Sequence, residues 1–239
     1  MQKIWFWLII LLVITGFGLW FWYSKMMPST KQPSASSDEI TYIALGDSYT
    51  IGNGVQTEER WPNVLTAHLK SSGQNIRLIA NPAVSGYKVS DALEKELPIV
   101  EQMKPDFVTV LIGANDNFGG KAPAFFQEEL QEFLDQLQKT MKNPQQIVLI
   151  TIPDYSKSPS ASGYDTTGVT KSIQEYNRII KSEAAKRDLK VADIFPLSQA
   201  MTDPIDFIHD GLHPSAKSYA RWEKVIYPVV LEVLNKRTK

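Results

Sequence analysis

Apolar and polar positions change character in a regular order along this chain. Residues 40–45, 76–80, 107–112, 147–152 and 190–194 are short apolar runs, the first four stopped by Gly46, Asn81-Pro82, Gly113 and Pro153. Runs of this length bounded by turn residues predict buried strands. Between them the spacing turns helical. Trp61, Val64, Leu65 and Leu69 mark a helix over 61–69, and Phe126, Leu130, Phe133, Leu134, Leu137 and Met141 share one face of a helix over 124–141. Further helices are predicted over 90–103, kinked or broken at Pro98, over 169–186, and over 215–235, interrupted by Pro228. A polar stretch of Ser, Gly, Thr and Pro fills 154–168, and loops that long are usually functional or mobile. Strands alternating with helices imply an α/β fold, a parallel sheet covered on both faces. No internal repeat or heptad pattern interrupts it.

The first residues follow another rule. Residues 4–23 are uncharged and almost wholly apolar, flanked by Lys3 and Lys25, with aromatic clusters at both ends. The length matches the ~20 residues a helix needs to cross a bilayer, and the aromatics match interfacial belts. Residues 1–25 are therefore expected to be an uncleaved anchor, 26–38 a Ser/Pro-rich flexible linker, and 39–239 the folded domain. A cleaved signal peptide is the rival reading, although its apolar core would be shorter and only Ser34-Ala35-Ser36 offers a weak cleavage site. Either reading places the domain outside the cytoplasm, membrane-bound by a single span or secreted. Lysines on both sides leave the orientation open.

Composition narrows the chemistry. Hydrophobic residues make up 43% of the chain and charged ones 21%, enough for a sizeable core. The net charge is −1, with only lysines before Asp38 and an excess of acids after it, so nothing suggests nucleic-acid binding. There is no cysteine, which excludes disulfides, thiolate catalysis and the usual structural zinc sites. The metalloprotease, phosphate-loop, dinucleotide and Gly-x-Ser-x-Gly signatures are all missing or incomplete.

Polar residues do recur after successive strands. Ser48 follows the first, Gly86 the second and Asn115 the third, and Asp210 and His213 share a loop before the last helix. In open α/β sheets ligands bind outside the carboxyl ends of strands. Gly46, Asp47 and Ser48 read equally well as turn formers or as the surroundings of a nucleophile. A serine nucleophile needs a base, and the base needs an orienting group. Asp210 and His213 supply both types three residues apart, although His213 also fits a capping or surface histidine. His68 reads as structural or solvent-facing, His209 as a loop residue.

Gly46-Asp47-Ser48, Gly86, Gly113-Ala114-Asn115-Asp116 and Asp210-Gly211-Leu212-His213 occur in the order of the four blocks of the SGNH hydrolases, also called GDSL esterases and lipases. The chain resembles that superfamily from residue 40 almost to its end. The flanking Arg60-Trp61-Pro62 and Ile152-Pro153-Asp154-Tyr155 are similar to its bacterial acylhydrolases. The resemblance implies a flavodoxin-like α/β/α sandwich on a five-stranded parallel sheet. It implies Ser48 as nucleophile, His213 as base and Asp210 as its orienter. The oxyanion hole would comprise the Ser48 and Gly86 backbone N–H groups and the Asn115 amide. No cofactor or metal is implied. Tyr87 after Gly86 departs from the small polar residue often found there. Asp47 is expected to stabilise its turn and Asp116 to hold the loop presenting Asn115. The expected function is hydrolysis of carboxylic esters by a monomer, on a small-molecule, lipid or carbohydrate ester. The alternatives are an O-acetylesterase of polysaccharides or a non-catalytic binding protein. Sparse apolar residues in 154–168 (Tyr155, Tyr164) favour short acyl groups.

Overall fold

The computed structural model describes residues 39–236 apart from Tyr164. The expected anchor and linker, residues 1–38, lie outside the described residues. Among those described, no helix is long and apolar enough to cross a membrane. Five strands, β1 Ile40–Gly46, β2 Ile76–Ala80, β3 Phe107–Leu111, β4 Ile147–Ile150 and β5 Lys190–Ala192, form one parallel sheet in the order β2-β1-β3-β4-β5. β1, β3 and β4 are almost entirely buried, which is why their sequences are continuous apolar runs rather than alternating ones.

The helices are α1 Ser48–Ile51, α2 Trp61–Ser71, α3 Leu97–Met103, α4 Ala114–Phe118, α5 Pro123–Thr140, α6 Thr166–Lys186, α7 Phe195–Gln199 and α8 Ala216–Lys236. α2 packs on α8, which also covers β4 and β5, while α5 packs against both α3 and α6. This is a three-layer sandwich. Its apolar faces meet the sheet through Leu65, Leu69, Phe126, Phe133, Trp222 and Ile226, all fully buried. Burial of such side chains contributes roughly 1.5–3 kcal/mol each.

The order 2-1-3-4-5 reverses direction between β1 and β3, and the crevice at such a reversal is where doubly wound sheets bind ligands. Pairing of β1 with β2 ends at Ile43–Ala80, whereas its pairing with β3 continues to Gly46–Leu111. Ala44, Leu45 and Gly46 thus run past β2.

The break expected near Pro98 is present and takes a definite form, and two other expectations need correction. The helix over 90–103 is three pieces, an α turn Val89–Asp91, a π turn Ala92–Glu96 and α3. Pro98 has no N–H to return to the Glu94 carbonyl, and the turn before it widens so that the Leu97 N–H donates to the Ala92 carbonyl instead. α8 runs uninterrupted through Pro228. Pro228 and Lys224 are both exposed, so solvent can take the carbonyl that Pro228 leaves unbonded. The stretch 154–168 is not structureless. It holds 3-10 turns at Tyr155–Lys157 and Pro159–Ala161, and α6 begins at Thr166, three residues early, where the Asp165 carboxylate accepts the Gly168 N–H.

Candidate active site

β1 ends at Gly46 because no other residue fits. A Cβ there would lie 2.3 Å from both the Leu111 carbonyl oxygen and Thr50 Oγ1, at φ +153°. Asp47 then caps the one-turn helix α1, its Oδ1 accepting the Tyr49 N–H at 2.9 Å, and Ser48 is the first helical residue. Asp47 therefore has the turn-stabilising place expected of it. The far end of α1 is held by Trp61, whose indole N–H donates to the Tyr49 carbonyl at 3.0 Å, and by the Asn81 amide, which donates to the Thr50 carbonyl at 2.9 Å.

Gly86 sits after β2 at φ +90°, with open space where a Cβ would be. The next residue, Tyr87, accepts the Asn115 amide at its carbonyl, 3.0 Å away. The same amide lies 3.4 Å from Asp47 Oδ2, so Asn115, on the first turn of α4, joins the segments after β1 and β2. Fully buried Asp116 accepts the Val89 N–H at 3.0 Å and ion-pairs with Lys121 at 2.5 Å. It ties α4 to the chain beyond Gly86.

The last block arrives on the loop before α8. His213 Nδ1 and Asp210 Oδ2 are 2.6 Å apart, and Asp210 Oδ1 accepts the N–H groups of Leu212 and His213 at 2.8 and 2.9 Å. Burial works to raise the Asp210 carboxyl, but these hydrogen bonds outweigh it and hold the group below its ordinary range. The loop is closed by an antiparallel bridge between Phe207 and Pro214 and anchored by Asp206, which pairs with Arg221. The His213 ring lies 5.6 Å from the ring of Tyr49, the residue after Ser48, and the Trp222 ring lies 5.7 Å from that of Tyr49. The structure thus sets His213 against Tyr49 and Asn115 against Asp47 and Tyr87, the residues that flank Ser48 and follow Gly86. His68 stacks on Tyr227 and bonds Glu223 in the α2–α8 interface, and His209 is an exposed loop residue. Among the described residues no group of three or more His, Asp or Glu side chains could hold a metal ion.

Against Leu212, the residue before His213, opens a cavity of about 690 Å³, lined also by Phe118, Tyr155 and Val169, with Ser158 and Ser160 among its polar groups. Phe118, Val169 and Leu212 of this apolar lining lie outside 154–168, beyond the reach of that loop's own composition. Asp154 pins the loop's base, bonding Ser156 and Thr170 through its carboxylate and Ser198 through its N–H, while the Tyr155 hydroxyl donates to Asn117. One further buried acid escaped the sequence. Glu96, next to Glu94 and Lys95 in sequence, is fully buried behind Gly46.

The geometry agrees with comparison to known proteins. Residues 44–221 match the model of the GDSL-like lipase/acylhydrolase family. The chain belongs to that family. An arylesterase of Vibrio mimicus is 26% identical over 77% of this chain and 85% of its own length. Esterase TesA of Pseudomonas aeruginosa is 23% identical over 81% and 89%. The solved lipase/acylhydrolase of Enterococcus faecalis superposes with a TM-score of 0.65 at 23% identity, covering 79% of this chain and 94% of that one, and so shares the fold. As a GDSL family member the chain is a carboxylic ester hydrolase. The match takes in Ser48, Gly86, Asn115, Asp210 and His213, and it leaves out the expected anchor and linker.

Proposed function

We propose that this GDSL hydrolase cleaves carboxylic esters through an acyl-enzyme formed on Ser48. The observation that carries the reading is the 2.6 Å Asp210–His213 pair set against the turn that bears Ser48. His213 takes the Ser48 hydroxyl proton at its free Nε2 as Oγ attacks the ester carbonyl, and Asp210 holds the ring by Nδ1 and stabilises the imidazolium. The oxyanion is received by the backbone N–H groups of Ser48 and Gly86 and by the Asn115 amide. His213 returns the proton to the leaving alcohol, then activates water to release the acid. The cavity beside Leu212 takes an apolar portion of the substrate larger than acetyl. Its hydroxyl-rich side, Ser158 and Ser160, supports acetylated sugars as a second reading.

The soluble domain is tested with p-nitrophenyl acetate, butyrate and octanoate and with an acetylated sugar. Ser48→Ala should lose at least ~10³-fold in kcat while keeping its melting transition, and a fluorophosphonate should label wild type at Ser48. Retained activity in Ser48→Ala, or labelling elsewhere, removes the nucleophile assignment. Preference for the acetylated sugar selects the second reading.

A further inference from the structure

Behind the nucleophile turn stands a carboxyl that takes no part in this chemistry. Because β1 outruns β2, the buried N–H of Gly46 has no strand carbonyl on that side to receive it. Glu96 receives it, with Oε1 at 3.1 Å and Oε2 at 3.2 Å. Glu96 reaches this position as the last residue of the π turn Ala92–Glu96, and such widened turns occur often at functional sites. Burying a carboxyl is costly, and an apolar side chain would fill the space more cheaply. The contact it makes is with the last residue of β1. Beyond that residue come Asp47, which caps α1 and lies within reach of the Asn115 amide, and then Ser48.

We propose that Glu96 is a positioning residue for the Ser48 turn: by holding the Gly46 N–H it sets the direction in which Asp47 and Ser48 leave the sheet. The inference rests on Ser48 being the nucleophile. Orienting that single peptide places both the Ser48 hydroxyl and the Ser48 N–H, and small misplacements at a reacting centre can cost about 100-fold in rate. Burial pushes the Glu96 carboxyl up to about 8, against the pull of the Gly46 N–H, with the charge of Asp47 adding to the rise. The side chain is therefore shifted toward the uncharged acid. Gln copies its shape and its carbonyl acceptor.

The test compares wild type, Glu96→Gln, Glu96→Leu and Ser48→Ala by kcat, KM, fluorophosphonate labelling rate and melting. Glu96→Leu should lose about 10–100-fold in kcat and in labelling rate with KM within about twofold, and Glu96→Gln should restore kcat to within about threefold. A folded Glu96→Leu with wild-type kcat overturns the proposal, and so does a Glu96→Gln as slow as Glu96→Leu. If Glu96→Leu does not fold, Glu96→Met takes its place, and if neither folds the contact serves the fold as a whole and the proposal is overturned. Equal rates across the Glu96 series with an inactive Ser48→Ala sink this proposal alone. An active Ser48→Ala would instead sink the nucleophile reading beneath it.

Discussion

Asn115 hangs between two acceptors, the Tyr87 carbonyl at 3.0 Å and Asp47 Oδ2 at 3.4 Å. In the oxyanion hole proposed above, the shorter bond aims the amide and the longer one is exchanged for a substrate oxygen. A neutral amide fixed in this way stabilises charge that develops only in the transition state, so it acts on kcat rather than on binding. Asn115→Ala is expected to lower kcat about 10²–10³-fold with little change in KM, measured by steady-state hydrolysis of p-nitrophenyl butyrate. An unchanged kcat would remove Asn115 from the oxyanion hole. Asp47, one residue before Ser48, has a different environment from Asp210. Burial lifts its carboxyl to about 7, partly offset by the Tyr49 N–H, whereas Asp210 is held down by its hydrogen bonds to the His213 loop. Two acids of one site are thus pushed apart, and Asp210 is the one kept charged beside the histidine.

At the scale of elements, the break from β1 into α1 and the turn after β2 both depend on glycine, for different reasons. A side chain at Gly46 would strike backbone and Thr50, while one at Gly86 meets nothing within 4 Å and suffers only the positive φ. Gly46→Ala should therefore cost several kcal/mol, roughly 3 or more, and Gly86→Ala about 1–2, read from urea denaturation of each variant. Equal costs would mean that the β1 break can relax. Elements of this kind also show what the sequence could reveal. The strands were legible because buried parallel strands leave continuous apolar runs, and α2 and α5 because an amphipathic helix repeats every three to four residues. α1, α4 and α7 span only four or five residues, too few to repeat anything, and they vanish into the turns on either side. The π turn was hidden because one added residue hardly alters a helical pattern, and Glu96 with it. Ser48, Asn115, Asp210 and His213 stood out because they recur at the ends of elements that were themselves readable. The cavity did not, because Phe118, Tyr155 and Leu212 meet only once three separate segments have folded.

At the scale of the whole molecule, three buried acids are shifted in opposite directions by folding. Glu96 and Asp47 rise from ordinary values of 4.5 and 3.8 to about 8 and about 7 on burial. An acid held more protonated by folding supports the fold at low pH and withdraws that support as pH rises through the raised value. Glu183, buried where α6 meets α5, is the reverse. Burial raises it, but hydrogen bonds from Lys186, Gln131, Arg187 and Gln127 outweigh burial and bring it to about 2, a stabilisation lost only as pH falls below its ordinary 4.5. Folding stability should therefore decline between about pH 5 and pH 8, and Glu96→Gln should flatten that decline, as measured by denaturation at several pH values. A slope unchanged by Glu96→Gln would mean that Glu96 titrates normally. One feature reaches beyond stability. The Asp154 carboxylate fastens the start of the 154–168 stretch to Ser156 and to Thr170 on α6, and Tyr155 is fastened in turn to Asn117. A cavity wall fastened at several points has little conformational freedom left to lose when a substrate arrives, so binding there costs little ordering entropy. The same stiffness denies it the means to accommodate a poor fit. With the substrate seated there as proposed, such a wall selects as a gauge does, admitting what is within its tolerance and turning away what is one size too large.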